Sequence, residues 1–542
     1  MRYRSRLRPV VLGLGLLCGV SGCSCASKDW PTHRYNEGRT ANQPHSSALT
    51  DPARVQTLHP LWSWHPGLVG DPDLGATGPG FSASPIVYRG RVYVGHLNGR
   101  MYAIDLAGTM VWKYPRANNA PLVSTSQCNP SSPGIASSAT IGTVRIPWFW
   151  FFTKRVRVVI FGAPDPSSNG GDGRLWAVNA QTGDLVWQSP VLASRANHEQ
   201  IGYDSPVVHD GRVYVGIANH CDNPIIAGKV YGIDEQTGNP ALGFSTFVAS
   251  TIRGGGLWSS PAVTPDGGVI VTTGNGCTSW DGNCATEPAS NHALSMIRLD
   301  GRTGMMIWKF QPVPWVLDSD PDWAATPAVH EASCASMAVA PMKDDYTHAI
   351  ATGPSAPSGN PAVLGLSLRR WTFPFAAVIP FTSGRHYDDR YIRPAATWRD
   401  VVFAVTGGRD LVANPTAGYN RLYALNACAS DFERVRWWVQ FDGWGYPTMG
   451  APSVTRGIVY IGSAADTLYA IADPDVHAPA GTQCDFPGVS NVDCAPNGFR
   501  LTPIPAVLAR VPLSGSIRTT PALARGRVYV TTDAGYLHAL AP

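Results

Sequence analysis

A short phrase recurs along this chain, and such an internal repeat constrains the fold more than any single residue does. Each clear copy joins Ser-Pro, Thr-Pro or Ala-Pro to a few apolar residues, a turn with glycine, and a second apolar run such as Val-Tyr-Val. Clear copies open at Ser84, Ser205, Ala451 and Thr520, and looser ones open at Ser138, Ser260, Thr326 and Arg393. Pro85 and Pro521 therefore bound seven steps of about 62 residues.

Each unit contains four short β-rich runs. In the first unit they are residues 86–88, 92–95, 100–105 and 110–113, separated by turns rich in Gly, Asn and Asp. This pattern predicts an antiparallel meander, and no helical periodicity of comparable strength competes with it. Because a lone four-stranded sheet cannot bury both faces, the units are expected to stack around an axis as blades. The sequence thus predicts an all-β fold, a single eight-bladed β-propeller.

The segment before the first unit is expected to close this ring. Residues 58–64, Leu-His-Pro-Leu-Trp-Ser-Trp, have the composition of a fourth strand that the last unit lacks. Pairing of this N-terminal strand with the C-terminal blade would remove an exposed sheet edge. The expected organisation is a signal peptide at 1–23, an N-terminal extension at 24–54 and the propeller at 55–542.

The N-terminus is typical of an export signal. Four arginines precede an apolar run at residues 10–20, which is too short to span a bilayer as a stable helix. Val20-Ser21-Gly22-Cys23 resembles a bacterial lipoprotein processing site, which implies a lipid on Cys23. The alternative is an ordinary secretory signal in which Cys23 is incidental. The expected location is the cell envelope, periplasmic or at the cell surface, with membrane attachment through the lipid.

Charge and cysteine content further restrict the class of protein and its cellular compartment. The formal charge of +4 falls to zero once the first 22 residues are removed, so there is no basic excess for nucleic acid. Eleven cysteines agree with an oxidising compartment. Local disulfides are expected for Cys277 with Cys284 and for Cys484 with Cys494, whereas the sequence leaves Cys25, Cys128, Cys221, Cys334 and Cys428 without assigned partners. No Cys-x-x-Cys-His motif for a covalently attached haem is present.

A second recurring pattern carries a family resemblance. Residues 177–187, Ala-Val-Asn-Ala-Gln-Thr-Gly-Asp-Leu-Val-Trp, and residues 299–308 share a Thr-Gly turn followed by Trp. This pattern resembles the tryptophan-docking repeat of the pyrroloquinoline quinone (PQQ) propeller superfamily. The resemblance implies that most of the 18 tryptophans pack between neighbouring blades rather than bind a ligand.

The fourth unit resembles the cofactor region of quinoprotein alcohol dehydrogenases. The segment runs from Gly254-Gly255-Gly256-Leu257-Trp258 to Thr273-Gly274-Asn275. The resemblance implies that Trp258 is the platform on which PQQ stacks and that Asn275 is a ligand of Ca²⁺. A flat aromatic surface suits a tricyclic quinone, and an amide oxygen suits a hard cation.

Asp320-Pro321-Asp322 resembles the acidic segment of the same family. The resemblance implies that Asp320 contacts calcium and acts as the base that takes the alcohol proton. Asp322 is then a secondary carboxylate at the cofactor. The alternative is a solvated acidic loop, because Asp318 lies in the same run.

Two positions depart from the family pattern. The family has a glutamate calcium ligand in the second blade, where residues 162–173 offer only Asp165 or Asp172. Its cofactor-binding lysine precedes the third strand of the fifth blade, a place that the sequence pattern assigns to residues 351–360, which contain no lysine. Arg385 or Lys343 is the candidate replacement.

One insertion is unusual for a propeller. Five consecutive aromatic residues, Trp148 to Phe152, form the expected tip of a hairpin in the second blade, flanked by Arg145, Arg155 and Arg157. Such a tip either docks on a membrane or a protein partner or folds over the propeller and buries its rings.

Two functions are compatible with these patterns. The first is a quinoprotein-type alcohol dehydrogenase that oxidises an alcohol to a carbonyl with PQQ and Ca²⁺ and passes electrons to an external acceptor. The alternative is a non-catalytic propeller scaffold lipoprotein that binds protein partners, similar to the outer-membrane assembly lipoprotein.

Overall fold

Thirty-two strands form eight four-stranded antiparallel sheets in the described part of the computed structural model. That part comprises residues 28–68, 80–124, 134–219, 222, 224–276, 292–312, 322–323, 325–344, 346–353, 368–373, 393–410, 414–430, 433–441, 449–474, 476 and 505–542. Each sheet is one blade of a propeller. The predicted all-β, eight-bladed fold is confirmed.

The first four blades follow one another along the chain. Blade 1 comprises β2 (Ile86–Tyr88), β3 (Arg91–His96), β4 (Arg100–Asp105) and β5 (Met110–Tyr114). Blade 2 comprises β6 (Thr140–Phe149), β7 (Phe152–Asp165), β8 (Asp172–Asn179) and β9 (Leu185–Gln188). Blade 3 comprises β10 (Val207–His209), β11 (Arg212–Ile217), β12 (Lys229–Asp234) and β13 (Phe247–Val248). Blade 4 comprises β14 (Ala262–Val263), β15 (Gly268–Thr272), β16 (Met296–Asp300) and β17 (Met306–Phe310).

The remaining blades repeat the meander. Blade 5 comprises β18 (Ala328–Glu331), β19 (Ser336–Pro341), β20 (Thr347–Ala351) and β21 (Arg369–Phe373). Blade 6 comprises β22 (Ala396–Trp398), β23 (Val401–Asp410), β24 (Asn414–Asn426) and β25 (Val435–Phe441). Blade 7 comprises β26 (Ser453–Thr455), β27 (Ile458–Gly462), β28 (Thr467–Ala472) and β29 (Ala506–Pro512). Blade 8 comprises β30 (Ala522–Ala524), β31 (Arg527–Thr531), β32 (Leu537–Ala541) and β1 (His59–Trp64).

Helical structure is sparse in the described residues. It comprises one α-helical turn, α1 (Pro52–Val55), and 3₁₀ turns at Ser47–Thr50, Pro66–Leu68 and Arg195–Asn197. No helix in this part of the chain is long and apolar enough to cross a membrane.

The ring closes as the sequence predicts. Strand β1 pairs antiparallel with β32, so that Trp62 faces Ala539 and Trp64 faces Leu537. The first strand of each blade lies at the axis, and β30 contacts β2 where blade 8 meets blade 1. Because the last sheet takes its outer strand from the start of the chain, the ring is closed by hydrogen bonds between the two terminal regions.

The recurring Ser or Thr before each first strand has a structural role at the hub, the region around the propeller axis where the first strands lie. The backbone N–H of one copy donates to the side-chain hydroxyl of the copy in the next blade, from blade 8 through blades 1 to 5. The bonds run from Thr520 to Ser84 (2.9 Å), Ser84 to Ser138 (2.9 Å), Ser138 to Ser205 (3.0 Å), Ser205 to Ser260 (2.8 Å) and Ser260 to Thr326 (3.0 Å). These five bonds, here called the hydroxyl belt, join six blades.

The tryptophan of the fourth strand links neighbouring blades, as the resemblance implies. The indole N–H of Trp112 donates to the carbonyl of Ala180 at 3.1 Å, and that of Trp187 donates to Glu235 at 3.0 Å. The indole of this tryptophan also requires glycine in the Thr-Gly turn of the next blade. Gly183 has a φ of +73°, and a Cβ there would lie 2.7 Å from the Trp112 ring. Only glycine satisfies both the backbone conformation and the close ring contact.

Residues 28–45, here called the N-terminal segment, contact all eight blades. Hydrogen bonds join Lys28 to Arg525, Trp30 to Val87, Pro31 to Ile141, Glu37 to Val263, Gly38 to Val329, Thr40 to Thr397 and Ala41 to Val454, and Arg39 supplies the contact with blade 3. The sequence predicted an N-terminal extension at residues 24–54. Its residues 28–45 lie against the first strands, so their removal would affect the whole ring.

Arg39 of this segment is fully buried at the hub. Its guanidinium donates to the carbonyls of Ser205 (2.8 Å), Pro206 (3.1 Å) and Pro261 (2.9 Å). Burial lowers the pKa of Arg39 to about 9, although Asp204 and Glu37 oppose that shift. Burial raises the pKa of Asp204 to about 8, against hydrogen bonding from Gly216 and the charge of Arg39. A buried cation thus ties blades 3 and 4 to the N-terminal segment.

A disulfide joins Cys334 in blade 5 to Cys428 in blade 6. Cys334 lies in the turn between β18 and β19, and Cys428 follows β24. The sequence did not assign this pair because the two residues are 94 positions apart and belong to different repeats. The local pairs expected for Cys277 with Cys284 and for Cys484 with Cys494 lie outside the described residues.

Candidate functional site

One end of the propeller carries the candidate cofactor residues. In an antiparallel meander the start of the first strand and the end of the second strand lie at the same end of the blade. Trp258 precedes β14 and Asp322 precedes β18, whereas Asn275 follows β15 and Lys343 follows β19. All four residues therefore belong to one end of blades 4 and 5.

Trp258, Asp322 and Lys343 form a contact cluster. The indole N–H of Trp258 donates to one carboxylate oxygen of Asp322 at 2.9 Å. The ammonium of Lys343 lies 2.7 Å from the other Asp322 oxygen and 5.4 Å from the centre of the Trp258 ring. Asp322 is buried, and Trp258 remains half-buried. The carboxylate thus fixes the position of both an aromatic ring and a cation beside it.

The residues behind this cluster hold its loops together. The backbone N–H of Lys343 donates to the carbonyl of Asp322 at 3.2 Å. Asp344 and His348 form a buried pair at 2.8 Å, and the His348 ring packs 5.2 Å from that of Trp323. Because Asp344 and Trp323 directly follow Lys343 and Asp322, these contacts restrict both loops.

Asn275 is bonded to the loop that precedes the same tryptophan. Its backbone carbonyl accepts from the N–H of Gly255 at 2.8 Å, and Gly274 donates to Gly256 at 2.7 Å. The Asn275 side-chain amide donates to the carboxylate of Asp222 at 2.9 Å. The arrangement brings an amide and a carboxylate together at the junction of blades 3 and 4. Asp222 was missed by sequence reasoning because it belongs to no recurring pattern.

Asp165 does not join this cluster. It ends β7 in blade 2, where its carboxylate binds Arg174 at 2.9 Å and the hydroxyl of Ser167 at 2.6 Å. In the described residues, no three His, Cys, Asp or Glu side chains form a group suited to a metal ion. The role implied for Asp165 as a calcium ligand stays a prediction that its present contacts do not favour.

Three other predicted site residues cannot be located. Asp320, Arg385 and the lipidation residue Cys23 lie outside the described residues. Their roles remain predictions.

The place assigned to the family's lysine was wrong. The sequence pattern put it at residues 351–360, but the third strand of blade 5 is β20 (Thr347–Ala351). The loop before that strand includes Lys343, one of the two candidate replacements. The strand was misassigned because Thr-His-Ala-Ile-Ala lacks the Val and Tyr residues that mark strands in other blades.

The aromatic hairpin does not fold back on the propeller. All five rings from Trp148 to Phe152 are exposed, with Trp150 at 80% and Phe151 at 92%. The alternative in which the hairpin buries its rings is therefore wrong.

Comparison with known proteins supports the architecture. The family model described as "Outer membrane protein assembly factor BamB", PQQ_2, matches residues 153–281. Quinohemoprotein alcohol dehydrogenase ADH-IIG of Pseudomonas putida is 25% identical over 266 residues, 43% of this chain and 33% of the relative. The dehydrogenase subunit of the quinone alcohol dehydrogenase of Gluconacetobacter polyoxogenes is 26% identical over 332 residues, 54% of this chain and 40% of the relative. The chain thus spans well under half the length of these curated relatives.

Solved structures show the same fold. Quinohemoprotein alcohol dehydrogenase from Comamonas testosteroni superposes with a TM-score of 0.64 at 16% identity, covering 95% of this chain and 81% of the other. A europium-containing methanol dehydrogenase gives a TM-score of 0.64 at 14% identity, covering 95% and 98%. The chain is therefore an eight-bladed β-propeller, similar in sequence to a PQQ_2 model over residues 153–281 and to quinohemoprotein alcohol dehydrogenases over about half of its length.

Proposed function

We propose that this protein is a quinoprotein-type oxidoreductase that binds PQQ on Trp258 and oxidises an alcohol to a carbonyl. The observation that carries the proposal is the contact cluster of Trp258, Asp322 and Lys343 at one mouth of the propeller. An aromatic surface with a lysine beside it suits a planar anionic cofactor. The names of the curated relatives support the same reaction class.

The residues of the cluster have distinct tasks in this proposal. The Trp258 ring supplies the stacking surface, and Lys343 supplies a cation for an anionic oxygen at the rim of the cofactor. Asp322 positions both, since each of its carboxylate oxygens already has a partner. When bound, PQQ accepts the two electrons of the alcohol, and a separate acceptor then takes them from the protein. The base remains Asp320, as the resemblance implies.

The described residues fit a calcium site less well than they fit the PQQ part of the family's site. Asn275 and Asp222 offer an amide and a carboxylate, but the described residues contain no cluster of three acidic, His or Cys side chains. Ca²⁺ normally takes six to eight oxygen ligands. We therefore assign no step to calcium, and the test below supplies it only as an additive.

Export and lipid attachment through Cys23 are part of the proposal. The disulfide between Cys334 and Cys428 supports an oxidising compartment, because such bonds are rare in the cytosol. Mass spectrometry of the protein from its own host tests the anchor: a diacylglyceryl group on Cys23 is expected, and an unmodified or absent Cys23 contradicts it.

A scaffold function is the second candidate. The matching family model carries the name of an assembly factor, and the exposed hairpin offers a contact surface. A scaffold has no need of the Trp258–Asp322–Lys343 cluster. PQQ binding therefore separates the two candidates.

The test is a titration of the protein with PQQ, with and without Ca²⁺, followed by dye-linked alcohol oxidation. We expect saturable binding at one site and substrate-dependent dye reduction. Trp258→Leu and Lys343→Met should each weaken PQQ binding about 10- to 100-fold, the range expected when one good contact of about 1.5–3 kcal/mol is lost.

The matched controls lie at the opposite end of the propeller. Trp150→Phe and Lys154→Gln change the same residue types in the exposed hairpin and should leave PQQ affinity unchanged. Absence of PQQ binding with Ca²⁺ supplied ends the enzyme proposal and favours the scaffold. Equal weakening by the control variants contradicts the assignment to Trp258.

A further inference from the structure

The first hairpin of blade 2 is much longer than the first hairpins of the other described blades. Its strands β6 and β7 contain 10 and 14 residues, whereas the first strands of blades 1 and 3 contain three each. At roughly 3.3 Å per residue, the seven additional residues of β6 project the tip by about 20 Å. Among the described first hairpins of the blades, this one therefore projects furthest from its end of the propeller.

The tip is apolar and exposed. The rings of Trp148, Phe149, Trp150, Phe151 and Phe152 are all more than half accessible to solvent, and among the described residues they form the largest run of exposed apolar side chains. Exposing five large rings together is costly in water, because each offers an apolar surface that burial would stabilise. Such a patch is typical of a contact surface.

Cations surround the base of this tip. Arg145 on β6 lies directly opposite Arg155 on β7, and Lys154 lies opposite Ile146. The side chains of Arg145, Lys154 and Arg155 are exposed and form no hydrogen bond or ion pair with any residue that the structure describes. Like charges placed directly opposite each other destabilise a hairpin. Their arrangement therefore has no structural benefit within the described molecule.

A basic groove continues from the hairpin to the adjoining blade. It has a volume of about 1040 Å³, and its lining combines Arg145, Lys154, Arg155 and Arg157 of the hairpin with Arg89 and Arg91 of blade 1. No Asp or Glu occurs among the described residues that line it. Six cations around one groove create a positive surface beside the aromatic tip.

The start of the described chain lies at the same end of the propeller as this tip. The tip is the turn between the first and second strands of blade 2, and Lys28 and Asp29 bind the equivalent turns of blades 8 and 1. The carbonyl of Lys28 accepts from Arg525 at 2.9 Å, and the Asp29 carboxylate accepts from the N–H of Arg89 at 3.0 Å. Cys23 precedes Lys28 by five residues, a span of at most about 18 Å.

We propose that the aromatic hairpin and the basic groove form a docking surface for a bilayer that contains anionic phospholipid. The rings enter the interfacial region, where Trp and Phe are favoured, and the cations bind the phosphate headgroups. A lipid on Cys23 would enter the bilayer from the same side. The Trp258 end of the propeller then faces away from the membrane. This inference is independent of the proposed oxidoreductase activity.

A bilayer fits the observations better than a protein partner does. Aromatic rings at the outermost position with cations a few residues behind match the depth order of acyl chains and phosphates. A protein partner would have to supply both an apolar pocket and an acidic rim at this spacing. We therefore commit to the anionic bilayer and treat protein binding as a contrary result.

Co-sedimentation with vesicles tests the proposal. The full chain carrying Cys23→Ser, so that no lipid on that residue contributes, is mixed with vesicles of phosphatidylcholine alone or with 30% phosphatidylglycerol. We expect binding to the anionic vesicles that weakens as salt is raised, since the Debye length shortens from about 10 Å at 0.1 M to 3 Å at 1 M.

Two sets of variants separate the aromatic and basic contributions. Replacing residues 148–152 with serine should abolish binding. The triple variant Arg145→Gln, Lys154→Gln and Arg155→Gln should weaken binding about a hundredfold, since each cation near an anionic surface contributes about 1 kcal/mol. The control is Leu242→Ser with Met305→Ser, which removes two exposed apolar side chains elsewhere.

The outcomes decide the proposal in either direction. Loss of binding in both hairpin variants, with the control unchanged and PQQ affinity retained, supports it. Absence of binding to anionic vesicles, equal binding to neutral vesicles, or unchanged binding by the serine variant overturns it. Hairpin-dependent retention of a protein partner without vesicle binding also overturns it.

Discussion

Polar side chains are hydrogen-bonded between blades at the hub, whereas the cations near the tip of the blade 2 hairpin are exposed. At the hub, the hydroxyl belt and Arg39 place their polar groups in hydrogen bonds between blades. In the hairpin, the side chains of Arg145, Lys154 and Arg155 have no partner among the described residues, and five rings face water. The hydroxyls of the belt recur in six blades, whereas the aromatic hairpin belongs to blade 2.

This contrast indicates where function is to be sought in a repeat protein. A residue that recurs in each unit contributes to the ring, because the same interface must form many times. Trp112 and Trp187 illustrate this, since both bind the neighbouring blade. Trp258 departs from the repeat, and it contacts Asp322 and Lys343 instead. Departures from the repeat therefore identify both candidate functional surfaces.

The largest effect is expected from removing Arg39. Arg39→Ala leaves the buried carbonyls of Ser205, Pro206 and Pro261 without their donor, and each such acceptor costs about 1–3 kcal/mol. We expect a loss of roughly 4 kcal/mol in the free energy of unfolding, measured by urea titration. The exposed Arg54→Ala is the control, with a change within about 0.5 kcal/mol. Equal stability of the two variants would show that the N-terminal segment does not hold the hub.

An intermediate effect is expected within the hydroxyl belt. Ser205→Ala removes the acceptor of the Ser138 N–H and should lower the free energy of unfolding by about 1–3 kcal/mol. Ser82→Ala changes an exposed serine that precedes the first strand of blade 1 and should have almost no effect. Thermal unfolding of both variants checks this. If Ser205→Ala leaves the stability unchanged, the hydroxyl belt does not stabilise the ring.

The smallest effect, of opposite sign, is expected in the hairpin. Arg155→Thr removes the like charge opposite Arg145 and should raise the free energy of unfolding by a few tenths of a kcal/mol. Arg370→Thr, an exposed position in β21, corrects for the higher strand propensity of Thr. Urea titration at low salt measures the difference. A loss of stability on removing Arg155 would mean that this charge serves the fold rather than a ligand.

Much of the fold could be predicted because its main features follow from the repeated residues. The period, the four strands per unit and the docking tryptophans follow from recurring residues, and closure by residues 58–64 follows from the strand that the last unit lacks. The hydroxyl belt was not predicted from the sequence, because the pairing of each hydroxyl with a neighbouring N–H depends on how the blades are arranged around the axis. The disulfide between Cys334 and Cys428 likewise joins separate repeats.

The candidate site was predicted less completely. Trp258, Asn275 and Asp322 were found through the family resemblance, and all three lie at one end of blades 4 and 5. Lys343 was named only as one of two candidate replacements for the family's lysine, because the alanine-rich β20 was not recognised as the third strand. The contacts of Asp322 with Trp258 and Lys343 join three loops, and the sequence contains no local signal for such contacts.

A crystal structure of the full chain grown with PQQ and Ca²⁺ tests the central claim most directly. The account predicts a planar molecule in van der Waals contact with the Trp258 ring, with one of its oxygens beside the Lys343 ammonium. Density for PQQ at another place on the propeller, or an unchanged Trp258–Asp322–Lys343 cluster without PQQ at saturating concentration, would contradict it.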